Sequence, residues 1–121
     1  MEIDKYPFFT AKLKQMGLSL PEVGKIIEIP ARIKLYNFPG IQKKHWRVDY
    51  CWSSDMLIVE IEGGVFKEGG GGHNRGAGYR NDVIRHNTLK EMGYTVFQFL
   101  PEHLPKQSTY ALDVLERFFK K

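Results

Sequence analysis

The stretch Arg47–Gly64, RVDYCWSSDMLIVEIEGG, decides the fold. Trp46 to Trp52 alternates in the manner of a strand, with Trp46, Val48, Tyr50 and Trp52 on one face and Arg47, Asp49 and Cys51 on the other. Ser53, Ser54 and Asp55 supply a turn, and Met56 to Glu62 returns as a second, antiparallel strand. Residues i and i+2 of a strand share a face, so Glu60 and Glu62 project side by side, while Leu57, Val59 and Ile61 point the other way into a core. Glu60 and Glu62 are expected to face solvent. Asp49 meets them if the hairpin is slightly staggered. Adjacent carboxylates repel one another unless a proton or cation relieves them. Three acids on one hairpin point to a hard, oxygen-liganded divalent cation, Mg²⁺ or Mn²⁺, and so to phosphodiester hydrolysis. The plainer alternative is that Asp49 ends the hairpin and the glutamates form a solvated face.

Downstream, residues 63–78 hold eight of the twelve glycines, including the run around His73. Such a segment reads as a ligand-binding loop or a flexible surface connection, because glycine admits positive φ and close approach to a phosphate. Asn81 or Asp82 caps a helix running to Met92, with Gly93 as its stop. On it, Arg85, His86 and Lys90 are placed to face solvent or ligand. Tyr94 to Leu100 is nearly continuous in apolar residues and reads as an interior strand. Gln98 interrupts it, either as a hydrogen-bonding group near the site or at a sheet edge. Ser108 caps a last amphipathic helix with Ala111, Leu112, Leu115, Phe118 and Phe119 inward.

Upstream, Thr10 to Met16 reads as a short helix capped by Gly17, and Lys25–Ile29 and Arg32–Phe38 as extended pieces between prolines. The element order gives an α/β fold around a mixed sheet. With 121 residues, the chain makes one domain spanning 1–121. A net charge of +4 suits a nucleic-acid partner without requiring one. Cys51 stands alone and the four histidines lack HxxxH spacing, which argues against disulfides and a structural zinc site. No apolar run reaches bilayer-spanning length and the first residues do not read as a signal peptide, so a cytoplasmic protein without a membrane partner is expected.

RVDY, LIVEIEGG, GGHNRGAGY (71–79), Asp82, Arg85, Leu89 and GYTVFQF (93–99) together resemble the PD-(D/E)XK nuclease superfamily, over Arg47 to Leu100. The likeness is greatest to small phage and prophage endonuclease-like proteins related to the very-short-patch-repair group. It implies a restriction-endonuclease-like α/β fold, a central mixed sheet flanked by helices, and Mg²⁺-dependent (or Mn²⁺-dependent) DNA hydrolysis. By the resemblance, Asp49 and Glu60 are the two motif acids and metal ligands, and the Ile61 carbonyl joins the metal shell. Glu62 stands where most members carry lysine, as base or further ligand, and His73 lies near the scissile phosphate. The helix acid found in many relatives is absent from Thr10–Met16, leaving Glu2 or Glu22 to supply it. Asp82 reads more simply as a helix cap. Lys67, Arg75, Arg80 and Arg85 are the candidate DNA contacts, since they flank the acids with positive charge. A homodimer is compatible with this reading. The alternative function is a non-catalytic nucleic-acid-binding module on the same fold, a subunit of a phage or DNA-repair complex.

Overall fold

The computed structural model describes residues 3–34, 43–63 and 71–120, with the backbone alone for 71–80. Helix α1 spans Pro7–Gln15, with proline at its start, where the missing N–H costs nothing. Gly17, at φ +75°, ends it. The Gly17 amide donates to the Lys14 carbonyl and the Leu18 amide to the Leu13 carbonyl, both at 3.0 Å. This paired closure satisfies carbonyls that the helix end leaves open, and its left-handed residue favours glycine. Gly93 does the same for the second helix at φ +106°, with Gly93 donating to Lys90 and Tyr94 to Leu89.

Six strands follow α1: β1 (Glu22–Val23), β2 (Ile26–Glu28), β3 (His45–Arg47), β4 (Tyr50–Trp52), β5 (Leu57–Ile61) and β6 (Thr95–Phe99). Helix α2 (Gly71–Glu91) joins β5 to β6, and α3 (Tyr110–Phe119) closes the described chain. One sheet has the order β1-β4-β5-β6; β2 and β3 form a separate pair. Strands β1, β4 and β5 are antiparallel neighbours, and β6 lies parallel to β5 through the α2 crossover. The protein is thus mixed α/β, with a four-stranded mixed sheet and three helices among the described residues.

The expected alternation from Trp46 to Trp52 is not one strand. It breaks at Val48–Asp49, so Trp46 and Val48 join the core on the α2 side while Tyr50 and Trp52 join the core on the opposite face. The partner ribbon breaks at the same level, between β1 and β2, where Gly24 takes φ +64°. The Gly24 amide donates to the Asp49 carbonyl at 3.0 Å and the Val48 amide to the Lys25 carbonyl at 2.9 Å, so both chains turn together with their hydrogen bonds kept. The turn between β4 and β5 is a 3₁₀ turn, Ser53–Asp55.

Two cores lie on the two sheet faces. Phe9 and Leu13 of α1 and Ala111, Leu112 and Leu115 of α3 pack with Tyr50, Trp52, Leu57 and Val59. Leu89 of α2 packs with Ile27, Trp46, Val48, Cys51 and Ile58. Every residue of β5 is therefore buried, and each fully buried aliphatic side chain contributes about 1.5–3 kcal/mol. The solvated face expected for Glu60 does not exist, because α2 covers it.

Three further expectations are corrected. Strand β6 is an edge strand, not an interior one; α3 shields its Phe99 side while Thr95 and Gln98 are exposed. Helix α2 begins at Gly71, ten residues before the expected cap, so residues 71–78 are helix and not loop. Its later turns are anchored by buried His86, Thr88 and Leu89. Extending an anchored helix avoids a new nucleation step, and that outweighs a penalty of about 1 kcal/mol for each interior glycine. Finally, His86 is buried rather than facing solvent. The pieces 35–38 and 64–70 lie outside the described residues. Among the described residues no helix is long and apolar enough to cross a membrane.

Candidate functional site

The register Tyr50↔Val59 continues to place Asp49 beside Glu60 with no stagger needed. Each acid's carboxylate accepts a hydrogen bond from a backbone amide of the opposite strand. The Asp49 amide donates to Glu60 Oε2 at 3.2 Å, and the Ile61 amide donates to Asp49 Oδ2 at 2.8 Å. Each carboxylate thus satisfies a backbone amide where the strand breaks at Asp49. The same break that re-aims the strand supplies two side chains fixed by backbone donors. The Ile61 carbonyl, a metal ligand by resemblance, accepts from the Gly63 amide at 3.1 Å.

Glu60 is buried, 5% exposed, and Arg85 of α2 reaches it: Nη2 donates to Oε1 at 2.9 Å and also to the Arg47 carbonyl at 3.0 Å. The Arg85 guanidinium carbon lies 5.8 Å from the centre of the Trp46 ring. Arg85 is therefore held inside the acid cluster as the counter-charge of Glu60, rather than extended toward solvent as a surface contact. Burial pushes the Glu60 carboxyl up from 4.5 to about 7, with Asp49 and Glu62 adding to the rise and Arg85 opposing it.

Glu62 is half-buried at the end of β5. Burial raises its carboxyl to about 7 as well, followed by a hydrogen bond with Asp82 and that residue's charge, while a hydrogen bond from Gln98 and the charge of Arg85 act the other way. Glu62 and Asp82 thus face each other as neighbouring carboxyl groups. Asp82 lies well inside α2 and is not its cap. It brings a further acid to the site, in place of the helix acid expected from α1. Glu22 does not take that role; it sits on β1 opposite Cys51, exposed and hydrogen-bonded to Ser53 and Lys25, and Glu2 lies outside the described residues.

Asp82 and Gln98 are the site residues that sequence reading placed elsewhere or left open. The three-residue spacing of Asp82 and Arg85, which puts both on one helix face, was the available signal. Beside them the His86 ring is buried with Nε2 unpartnered, as are Arg85 Nε and Trp46 Nε1. Burial lowers the His86 imidazole below its usual range.

As they stand, the acids form two pairs, Asp49 with Glu60 and Glu62 with Asp82. Among the described residues no three His, Cys, Asp or Glu side chains converge to hold a metal ion. The donor set nevertheless fits a hard divalent cation. Asp49, Glu60 and Glu62 offer oxygen donors only, and the neighbouring carboxylate charges, which add to the burial that raises both glutamates, are what a cation would relieve. His73, Arg75 and Arg80 lie on the first turns of α2, where the backbone alone is described, and Lys67 lies outside the described residues. Compared with known proteins, the chain matches no family model, no curated protein and no solved structure.

Proposed function

We propose that the protein is a metal-dependent DNA endonuclease of the PD-(D/E)XK kind, with a restriction-endonuclease-like fold. The observation that carries this is the interlocked pair of Asp49 and Glu60 at the break in the hairpin, with Glu62 two residues on. The main sheet, three antiparallel strands and a parallel one reached through the crossover helix α2, supports the same reading. In it, Asp49, Glu60, Glu62 and the Ile61 carbonyl hold Mg²⁺ or Mn²⁺. A bound cation would polarise the phosphoryl oxygen and lower the pKa of a coordinated water.

The chain's own groups divide the remaining work. Glu62, with an affinity for protons near neutrality, takes a proton from water at the site. Gln98 orients the Glu62 carboxyl. Arg85 neutralises Glu60 in the cation-free site; with a cation bound to Glu60, its guanidinium would be left to serve the phosphate. His73, Arg75, Arg80 and Lys67 remain the proposed contacts to the DNA backbone along the start of α2 and the segment before it.

A second reading, a non-catalytic nucleic-acid-binding module, is favoured by one observation: Arg85 already satisfies Glu60. Incubation with supercoiled, linear and single-stranded DNA in Mg²⁺, Mn²⁺ or chelator separates the two. Metal-dependent nicking that Asp49→Asn abolishes supports the endonuclease; folded protein that binds DNA and cleaves no form with either metal supports the module.

A further inference from the structure

Beside Asp49 lies a small cleft of about 70 Å³, whose lining includes Lys5, Tyr6, Val23, Gly24, Arg47 and Asp49. Its size suits a group of a few heavy atoms and not a nucleobase. Lys5 and Arg47 are exposed, which puts two cations at the mouth of a cleft whose wall is a site acid. Tyr6 adds a hydroxyl: a Cβ placed on Gly63, just past β5, would lie 3.7 Å from it.

The segment that carries Lys5 and Tyr6 is pinned. Asp4 Oδ1 accepts from the Tyr6 amide at 2.9 Å and from the hydroxyl of Tyr50, and Asp4 Oδ2 accepts from Thr10 Oγ1 at 2.7 Å. Tyr50 is 1% exposed and belongs to β4, so Asp4 clamps the start of α1 onto the strand that follows Asp49. The cleft is therefore held open by the fold, and a ligand would not have to order it.

We infer that this cleft, with Lys5 and Arg47 as its cations and the Tyr6 hydroxyl as its donor, holds a backbone phosphate of the nucleic acid adjoining the phosphate at the acid cluster. The inference rests on the proposed reading of that cluster as a phosphodiester site. Mere compensation of Asp49 by the two cations is the competing account. It predicts altered stability and metal affinity, but no change in the salt dependence of DNA binding.

The test is fluorescence anisotropy of a labelled DNA duplex in Ca²⁺ over a KCl series, which reads binding without cleavage. The Lys5→Gln/Arg47→Gln protein is compared with wild type and with Lys12→Gln/Lys14→Gln, which removes the same charge from exposed positions of α1. The cleft variant is expected to bind about tenfold more weakly at physiological salt, with a log–log slope shallower by roughly one unit per cation. Tyr6→Phe should weaken binding severalfold at unchanged slope, and Arg47→Lys should keep the slope. Thermal melts establish that each variant is folded. Equal losses in the two double variants, a wild-type slope in the cleft variant, or no duplex binding by wild type overturns the inference. Wild type that shows these slopes but cleaves nothing in Mg²⁺ or Mn²⁺ keeps the inference and removes the nuclease. Wild type that cleaves, with a cleft variant of unaltered slope, does the reverse.

Discussion

Arg85 Nη2 lies 2.9 Å from Glu60 Oε1, with the two side chains only 23% and 7% exposed. A pair so far withdrawn from water contributes little net stability, but removing one partner strands the other. The Arg85→Leu protein should lose about 3 kcal/mol at pH 8, where Glu60 is charged. The loss should shrink well below that near pH 5.5, because Glu60 then takes a proton. Urea melts at the two pH values check this; equal losses at both would show that Arg85 acts through packing on Trp46 and not through charge.

The glutamates also set the pH dependence of the cation-free protein. Both carboxyls are raised in the fold from 4.5 to about 7. A group raised on folding favours the fold in its protonated form, so this contribution is complete below pH 4.5 and is lost as pH rises through about 7. His86 has the opposite sign: burial lowers its imidazole, so it costs stability as pH falls below its ordinary range. In chelator, the melting temperature should peak on the acidic side of neutrality and fall toward pH 8. Added Mg²⁺ should raise it more at pH 8 than at pH 5.5, since protons compete for the same oxygens. A melting temperature flat from pH 6 to pH 8 would count against the raised carboxyls of Glu60 and Glu62.

How much of this was readable in the residues follows from what each pattern depends on. Gly17 and Gly93 announced their helix ends because the left-handed turn is a local demand. Leu57, Val59 and Ile61 announced one core for the same reason, since alternation needs no partner. The burial of Glu60 was not legible: a charged residue on a strand reads as solvated until α2 is known to cover it with Arg85. The break at Asp49 was hidden too. It needs Gly24, a distant residue that looks like any other turn glycine until the two backbones are seen to hydrogen-bond. Asp82 was misplaced because a glycine-rich segment gave no sign that α2 starts at Gly71.

Glu62→Lys puts at this position the residue that most members of the PD-(D/E)XK superfamily carry, and Asp82 and Gln98 are already in place to receive it. An ammonium beside Asp82 replaces a carboxyl–carboxylate contact with an ion pair. The variant should therefore melt at least as high as wild type at pH 8, with a flatter pH dependence. It should retain part of any metal-dependent cleavage if Glu62 acts on water, and lose metal affinity and cleavage together if Glu62 is an obligatory ligand. Isothermal titration with Mn²⁺ and a plasmid-nicking assay read the two separately.

Gly24 gives the test of how the fold builds the site. At φ +64° a side chain is disfavoured, and Gly24→Ala should cost about 1 kcal/mol through backbone strain alone. Its amide holds the Asp49 carbonyl at 3.0 Å, so any relaxation of that strain moves the break in β3–β4 and with it the Asp49 carboxylate. That carboxylate is registered against the Ile61 amide at 2.8 Å, and a small displacement removes it from Glu60. The Gly24→Ala protein should therefore lose cleavage and Mn²⁺ affinity by roughly tenfold or more while remaining folded, since a misplacement of about 1 Å is felt far more by a site than by a core. Substitution at Gly17 provides the comparison. Gly17 has the same kind of φ at +75° and open space around it, but it closes α1 away from the acids. Gly17→Ala should cost similar stability and leave metal affinity untouched; equal functional losses at the two glycines would mean that Gly24 matters only for folding.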